Sequence, residues 1–147
     1  MKIIFALTLF TIAAFAADTK VKLENLPPAV QAAVKEQTKN ATLVGLSTEK
    51  ENGKTTYEVE TKVNGKSRDL ELDKTGALLE TEDEVDINTI PAAAKAALQK
   101  RAGAGTITKV EKVTAGSSIS YEAAIRTKAG KSTEAAVNAD GTPHKED

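Results

Sequence analysis

The chain has no cysteine and no tryptophan, 3% aromatic side chains, one histidine and four prolines in 147 residues. Without cysteine there is no disulfide, no thiolate nucleophile, no thiolate zinc site and no lipid attachment through an N-terminal cysteine. Scarce aromatics remove the stacking platforms that single-stranded nucleic acid requires. The lone His144 lies in the terminal run Pro143-His144-Lys145-Glu146-Asp147 and reads as a solvated tail residue. A serine nucleophile therefore has no histidine base placed to activate it.

Charge of one sign is also missing. Twenty basic side chains stand against 21 acidic ones, a net charge of −1. A chain so balanced has no basic footprint for a polyanion such as nucleic acid.

What is present begins with Met1-Lys2, an apolar run from Ile3 and a small-residue segment Ala13-Ala14-Phe15-Ala16-Ala17. A single positive charge, an apolar stretch and a small-x-small site make a secretory signal peptide. Cleavage is expected after Ala16 or Ala17, so residues 1–17 are removed and the product is periplasmic or secreted. The apolar stretch falls short of the roughly 20 residues a bilayer span needs. No membrane span is expected in the remainder.

The mature chain repeats itself. Leu26-Pro27-Pro28-Ala29-Val30 is echoed by Ile90-Pro91-Ala92-Ala93-Ala94, and Tyr57-Glu58-Val59 by Tyr121-Glu122-Ala123, an offset of 64 residues. Asn64-Gly65-Lys66 corresponds to Ala129-Gly130-Lys131 with one residue added. Each copy opens with an apolar residue and proline, which suits a first helical turn because proline lacks only an N–H that would be unbonded there. Leu26, Val30, Ala33 and Val34 then recur at helical spacing, as do Ile90, Ala94, Ala97 and Leu98.

Downstream the period changes to two. Tyr57, Val59, Thr61 and Val63 alternate with Glu58, Glu60 and Lys62, then Leu70 and Leu72 with Asp69, Glu71 and Asp73. These are half-buried antiparallel strands, with Asn64-Gly65 supplying a tight hairpin and Asp73-Lys74-Thr75-Gly76 a capped turn. In the second copy Ile119, Tyr121, Ala123, Ile125, Ala135 and Val137 point inward. The pattern predicts an α+β chain of two tandem units, 18–82 and 83–147, each an N-terminal helix on an antiparallel meander of about four strands. Units this small are marginal alone, so the copies are expected to associate, either edge to edge or by packing a helix under the neighbouring sheet. The acidic run Glu80 to Asp86 reads as the linker between them.

The order of elements (Leu-Pro helix, Tyr-Glu-Val strand, Asn-Gly-Lys hairpin, Asp-Lys-Thr-Gly-Ala-Leu-Leu ending) resembles the PepSY domain, over nearly the whole mature chain. Exported tandem chains of this kind resemble β-lactamase-inhibitor-like proteins. The resemblance implies extracytoplasmic binding, with inhibition or regulation of peptidases, and carries no catalytic residue.

No cofactor is implied. The leading expectation is a non-catalytic module that engages an envelope or extracellular protein or peptide through the outward face of its strands. Glu58, Glu60, Lys62, Glu122, Ala124 and Arg126 are the candidate contact residues. The alternative is a small-ligand or calcium sensor using Glu82, Asp83, Glu84 and Asp86, since calcium takes several oxygen ligands; the run lacks the glycine and closing glutamate of a known loop pattern.

Overall fold

Eight strands follow one another through the sheet in the order they occur along the chain. The computed structural model describes residues 19–51 and 53–144, so the expected signal segment with Ala16 and Ala17 lies outside the described residues. The elements are β1 (Thr19–Lys20), α1 (Pro28–Gln37), β2 (Thr42–Glu51), β3 (Lys54–Val63), β4 (Lys66–Leu72), β5 (Leu78–Glu84), α2 (Ala92–Ala102), β6 (Thr106–Ala115), β7 (Ser118–Arg126) and β8 (Ser132–Asn138). Every neighbouring pair is antiparallel.

Both helices begin just after a proline, and α2 ends at Gly103, whose φ of 53° lets its N–H reach back to the Gln99 carbonyl. The Gly103-Ala104-Gly105 segment is thus a helix cap and turn. Val30 and Val34 of α1 bury against Leu46, Tyr57, Val59, Leu70 and Leu72. Ala94 and Leu98 of α2 bury against Val110, Tyr121, Ala123, Ile125 and Val137. The alanine-rich face of α2 lets that helix approach its strands with little side chain between them.

Two tandem helix-plus-meander units, expected from the sequence, are not what forms: the protein is one open, continuous eight-stranded sheet carrying two short helices. The segment read as an acidic linker is the strand that joins its halves. β5 pairs with β4 from Arg68↔Asp83 to Leu72↔Leu78 and with β6 from Glu80↔Ala115 to Glu84↔Glu111. Residues 82 and 83, the expected boundary, both lie inside it. The physical reason is hydrogen bonding. A separate pair of sheets would leave the N–H and C=O rows of β5 and β6 open along their edges, whereas one added ladder satisfies both.

Register also fixes the faces. Directly opposed residues share a face, and Val59, Leu70, Thr81, Thr114 and Ile119 are opposed in succession from β3 to β7. Ile119 in turn shares parity with Tyr121 and Ala123, so both helices lie on the same side. The other side of the sheet carries the alternate residues.

Two glycines hold the helices close. A Cβ on Gly76 would stand 2.7 Å from the Ala29 carbonyl oxygen, and one on Gly141 would stand 2.7 Å from that of Ala93; both residues have φ near +80°. The C-terminal segment folds back along β8, with the Asn138 N–H donating to Thr142 O and the His144 N–H to Ala136 O. His144 is not a solvated tail: it is half-buried, its Nδ1 2.8 Å from Asn138 Oδ1.

Candidate functional site

The face away from the helices is built from the polar half of each strand's alternation. Three rows of carboxylates run across it, each row crossing adjacent strands at directly opposed positions. Glu58, Glu71 and Glu80 form the first, on β3, β4 and β5. Glu60, Asp69 and Glu82 form the second on the same strands. Glu84, Glu111 and Glu122 form the third on β5, β6 and β7. Like charges directly opposite one another weaken a sheet, so this arrangement works against the fold that displays it.

The candidate contact residues all map to this face. Glu58 and Glu60 lie in the first and second rows and Glu122 in the third. Lys62 sits one pleat beyond Glu60, opposite Ser67. Ala124 is opposite Lys109 and Glu134, and Arg126 is opposite Ser132. The structure joins to them Asp69, Glu71, Glu80, Glu82, Glu84 and Glu111, which complete the rows; the signal for Glu80, Glu82 and Glu84 was their period-two spacing inside the acidic run.

At the centre, Asp69, Glu82 and Glu111 bring carboxylate oxygens within 4.8 Å of one another from three different strands. Burial pushes the Glu82 carboxyl up to about 8, reinforced by Glu111, Glu122, Glu80 and Asp69 around it. A proton on Glu82 relieves the crowding. Lys109 supplies the local positive charge, its Nζ 2.6 Å from Glu111 Oε1. Burial works against the Lys109 charge, but Glu111, Asp69 and Glu82 together raise its pKa. Although Lys109 is close enough to form an ion pair, no group among the described residues donates to the fully buried Glu111 Oε1 with hydrogen-bond geometry.

Other carboxylates are individually satisfied. Glu84 accepts from the Ser67 N–H at 3.0 Å and its hydroxyl at 3.3 Å, which holds its pKa below the usual carboxylate range. Ser47 donates its hydroxyl to Glu58 at 2.9 Å. Asp69 accepts from the Thr61 N–H at 3.3 Å.

The four residues of the expected calcium run are dispersed by the strand. Glu82 and Glu84 point to the open face, Asp83 to the helix face where Arg68 Nε meets it at 2.5 Å. Asp86 leaves the strand and accepts from the Asn88 N–H at 2.7 Å, closing the turn into α2. Alternation along a strand cannot bring consecutive side chains to one ion.

A shallow depression beside the end of α2 is lined by Ile87, Gln99, Ala102, Gly103, Gly105, Thr106 and Ile107, with no titratable group. No helix among the described residues is long and apolar enough to cross a membrane.

The architecture defines an antiparallel-sheet protein with helices on one side and an acidic sheet face on the other. No protein-family model matches the chain, and no curated protein matches it. Solved structures do. A protein described as periplasmic from Bacteroides eggerthii superposes with a TM-score of 0.65 at 14% identity, over 82% of this chain and 86% of that one. A DUF2874 family protein from Bacteroides uniformis gives 0.63 at 15% identity, over 81% and 86%. A BLIP-like protein from Bacteroides fragilis gives 0.56 at 21% identity, over 81% and 83%. Identities this low make these likenesses of fold. They are compatible with the PepSY-like and β-lactamase-inhibitor-like resemblance in the sequence.

Proposed function

We propose that the protein is a non-catalytic extracytoplasmic binding module that holds a protein or peptide against its open sheet face. The observation that carries this reading is the one-sided cover. Both helices bury the same face, which leaves a broad, ordered, charged surface spanning strands β3 to β7. The signal-like N-terminus and the periplasmic description of a structural neighbour support a location outside the cytoplasm. Docking of this kind would restrain a peptidase or another envelope enzyme; one structural neighbour is described as BLIP-like.

A cation-sensing reading draws on the cluster of Asp69, Glu82 and Glu111. Lys109 already serves that cluster as its cation, which favours the docking reading; calorimetric titration with calcium should therefore give no saturable heat.

A photo-crosslinking amino acid at Ala124, on the open face, or at Lys35, on α1, tests the docking reading in the native envelope. Discrete adducts are expected from position 124 and not from position 35. Adducts from the helix side only, or none from either position, would sink it.

A further inference from the structure

We infer that the occupant of the open face is a cationic protein segment, rich in lysine or arginine, laid across the three carboxylate rows. The inference rests on the reading of this face as a docking surface and specifies the partner's chemistry.

The sign of the face is not a by-product of composition. The whole chain carries a net charge of only −1, yet nine carboxylates are gathered in three rows on one side of one sheet. The basic side chains at open-face positions are five, Lys20, Lys54, Lys62, Lys109 and Arg126, and of these Lys20 and Lys54 lie at the β1–β3 margin. Lys109 is already engaged with Glu111. On the opposite side α2 carries Lys95, Lys100 and Arg101 and no acid. Charge has been segregated by the fold, and a segregated charge steers and selects a complementary partner.

Stability does not account for the arrangement. Glu58 faces Glu71, Glu71 faces Glu80 and Glu60 faces Asp69, each an opposed like-charge pair that weakens the ladder, while Glu82 opposite Asp69 avoids the repulsion at neutral pH by holding a proton. A bound cationic segment turns that cost into attraction.

Size separates a polypeptide from an ion. The rows extend from β3 to β7, four inter-strand spacings or roughly 19 Å, about the length of six extended residues. One metal ion reaches ligands within about 2.6 Å and could serve only the central cluster. A segment with positive charges at several positions matches the whole width.

A second copy presenting its basic α2 is the other candidate occupant. Such a contact joins two different surfaces head to tail and repeats as a ring or an open filament, an assembly whose size would depend on protein concentration. A separate partner is the occupant that needs no such assembly.

The test uses the purified exported protein and two fluorescent decapeptide probes, one alternating lysine and serine, the other glutamate and serine. Anisotropy should show the lysine probe binding and the glutamate probe not binding. Raising salt from about 20 to about 300 mM should weaken the lysine probe's binding by roughly tenfold or more, as expected for exposed charges. Neutralising the middle row (Glu60→Gln, Asp69→Asn, Glu82→Gln) should weaken it to a similar extent while raising the melting temperature. The control Glu24→Gln, Glu36→Gln should bind as the parent does. Unchanged binding by the middle-row variant, equal binding of both probes, or a fall in its melting temperature would each overturn the inference. So would a concentration-dependent oligomer that dissociates on Lys95→Gln, Lys100→Gln, Arg101→Gln.

The two readings fail separately. If adducts formed at position 124 persist undiminished in the middle-row variant, the docking surface stands and the cationic occupant does not. If adducts never form there, both fall.

Discussion

Glu82 on β5 and Asp69 on β4 stand directly opposite one another, and their carboxylate oxygens lie within 4.8 Å together with one from Glu111. In the folded protein Glu82 titrates near 8 rather than 4.5, because burial and four neighbouring carboxylates disfavour its charge. A raised folded-state value means the native state holds a proton that the unfolded chain releases. The stability this contributes is complete below 4.5 and lost as pH rises toward 8. Glu82→Gln should therefore match the parent near pH 4 and melt higher near pH 8, by roughly 5 °C if the relief is about 1–2 kcal/mol. Melting curves from pH 4 to 9 check this; parallel curves for the two proteins would refute it.

The acid limb has the opposite sign. Asp73 accepts from the Thr75 hydroxyl at 2.6 Å and the Ala77 N–H at 3.0 Å, and Asp140 accepts from the Thr142 hydroxyl at 2.6 Å; these bonds hold both below the ordinary aspartate value of 3.8. Their contribution is present above 3.8 and lost as pH falls through the depressed values. Replacing both by Asn should flatten the loss of stability below pH 4, measured by the same melting curves.

Gly76→Ala meets a backbone oxygen as well as an unfavourable φ. The added Cβ would lie 2.7 Å from Ala29 O, so α1 has to lift from the β4–β5 turn. Gly130 has a similar φ of 78° but nothing within 4 Å. Gly130→Ala should cost about 1 kcal/mol and Gly76→Ala about 2–3 kcal/mol. Urea unfolding of the two variants side by side measures the difference, and equal costs would contradict the close approach.

One sheet predicts one transition. Leu72 and Leu98 are fully buried in separate clusters beneath α1 and α2. Leucine to alanine at either site should cost about 2–5 kcal/mol. Because β5 is hydrogen-bonded to both halves, each variant should still unfold in a single cooperative step. A second transition in calorimetry, appearing in either variant, would show that the halves melt independently.

Arg68 and Asp83 bridge β4 and β5 on the helix face, with 44% and 34% of their side chains exposed. An ion pair this open to water contributes little. Arg68→Met should change stability by less than about 1 kcal/mol, and added salt should shrink the difference further.

Helices were legible because proline marked their starts and Val30, Val34, Ala94 and Leu98 recur at helical spacing. The alternation around Tyr57, Val59, Tyr121 and Ala123 exposed the strands and assigned their inward residues. Glu58, Glu60 and Glu122 were visible as outward residues for the same reason. The full extent of β5 was not legible: a short strand is expected from Ala77 to Thr81, but its continuation through Glu84 reads as linker. Residues Glu80 to Glu84 are mostly acidic, and acidic residues have low strand preference, so composition argued for a solvated linker. Its alternation of Glu80, Glu82 and Glu84 was the weaker signal, and it was the correct one.

By itself the sequence determined periodicity: which residues turn inward on each element, where helices start and where hairpins close, because these depend on neighbours a few positions apart. Only the tertiary structure decided that an acidic segment becomes the joining strand. Two open ladder edges, distant in the chain, gain hydrogen bonds when Leu78–Glu84 lies between them, and this outweighs the repulsion that follows. The same choice set Glu82 against Asp69 and Glu111, since cross-strand register is created only when strands meet.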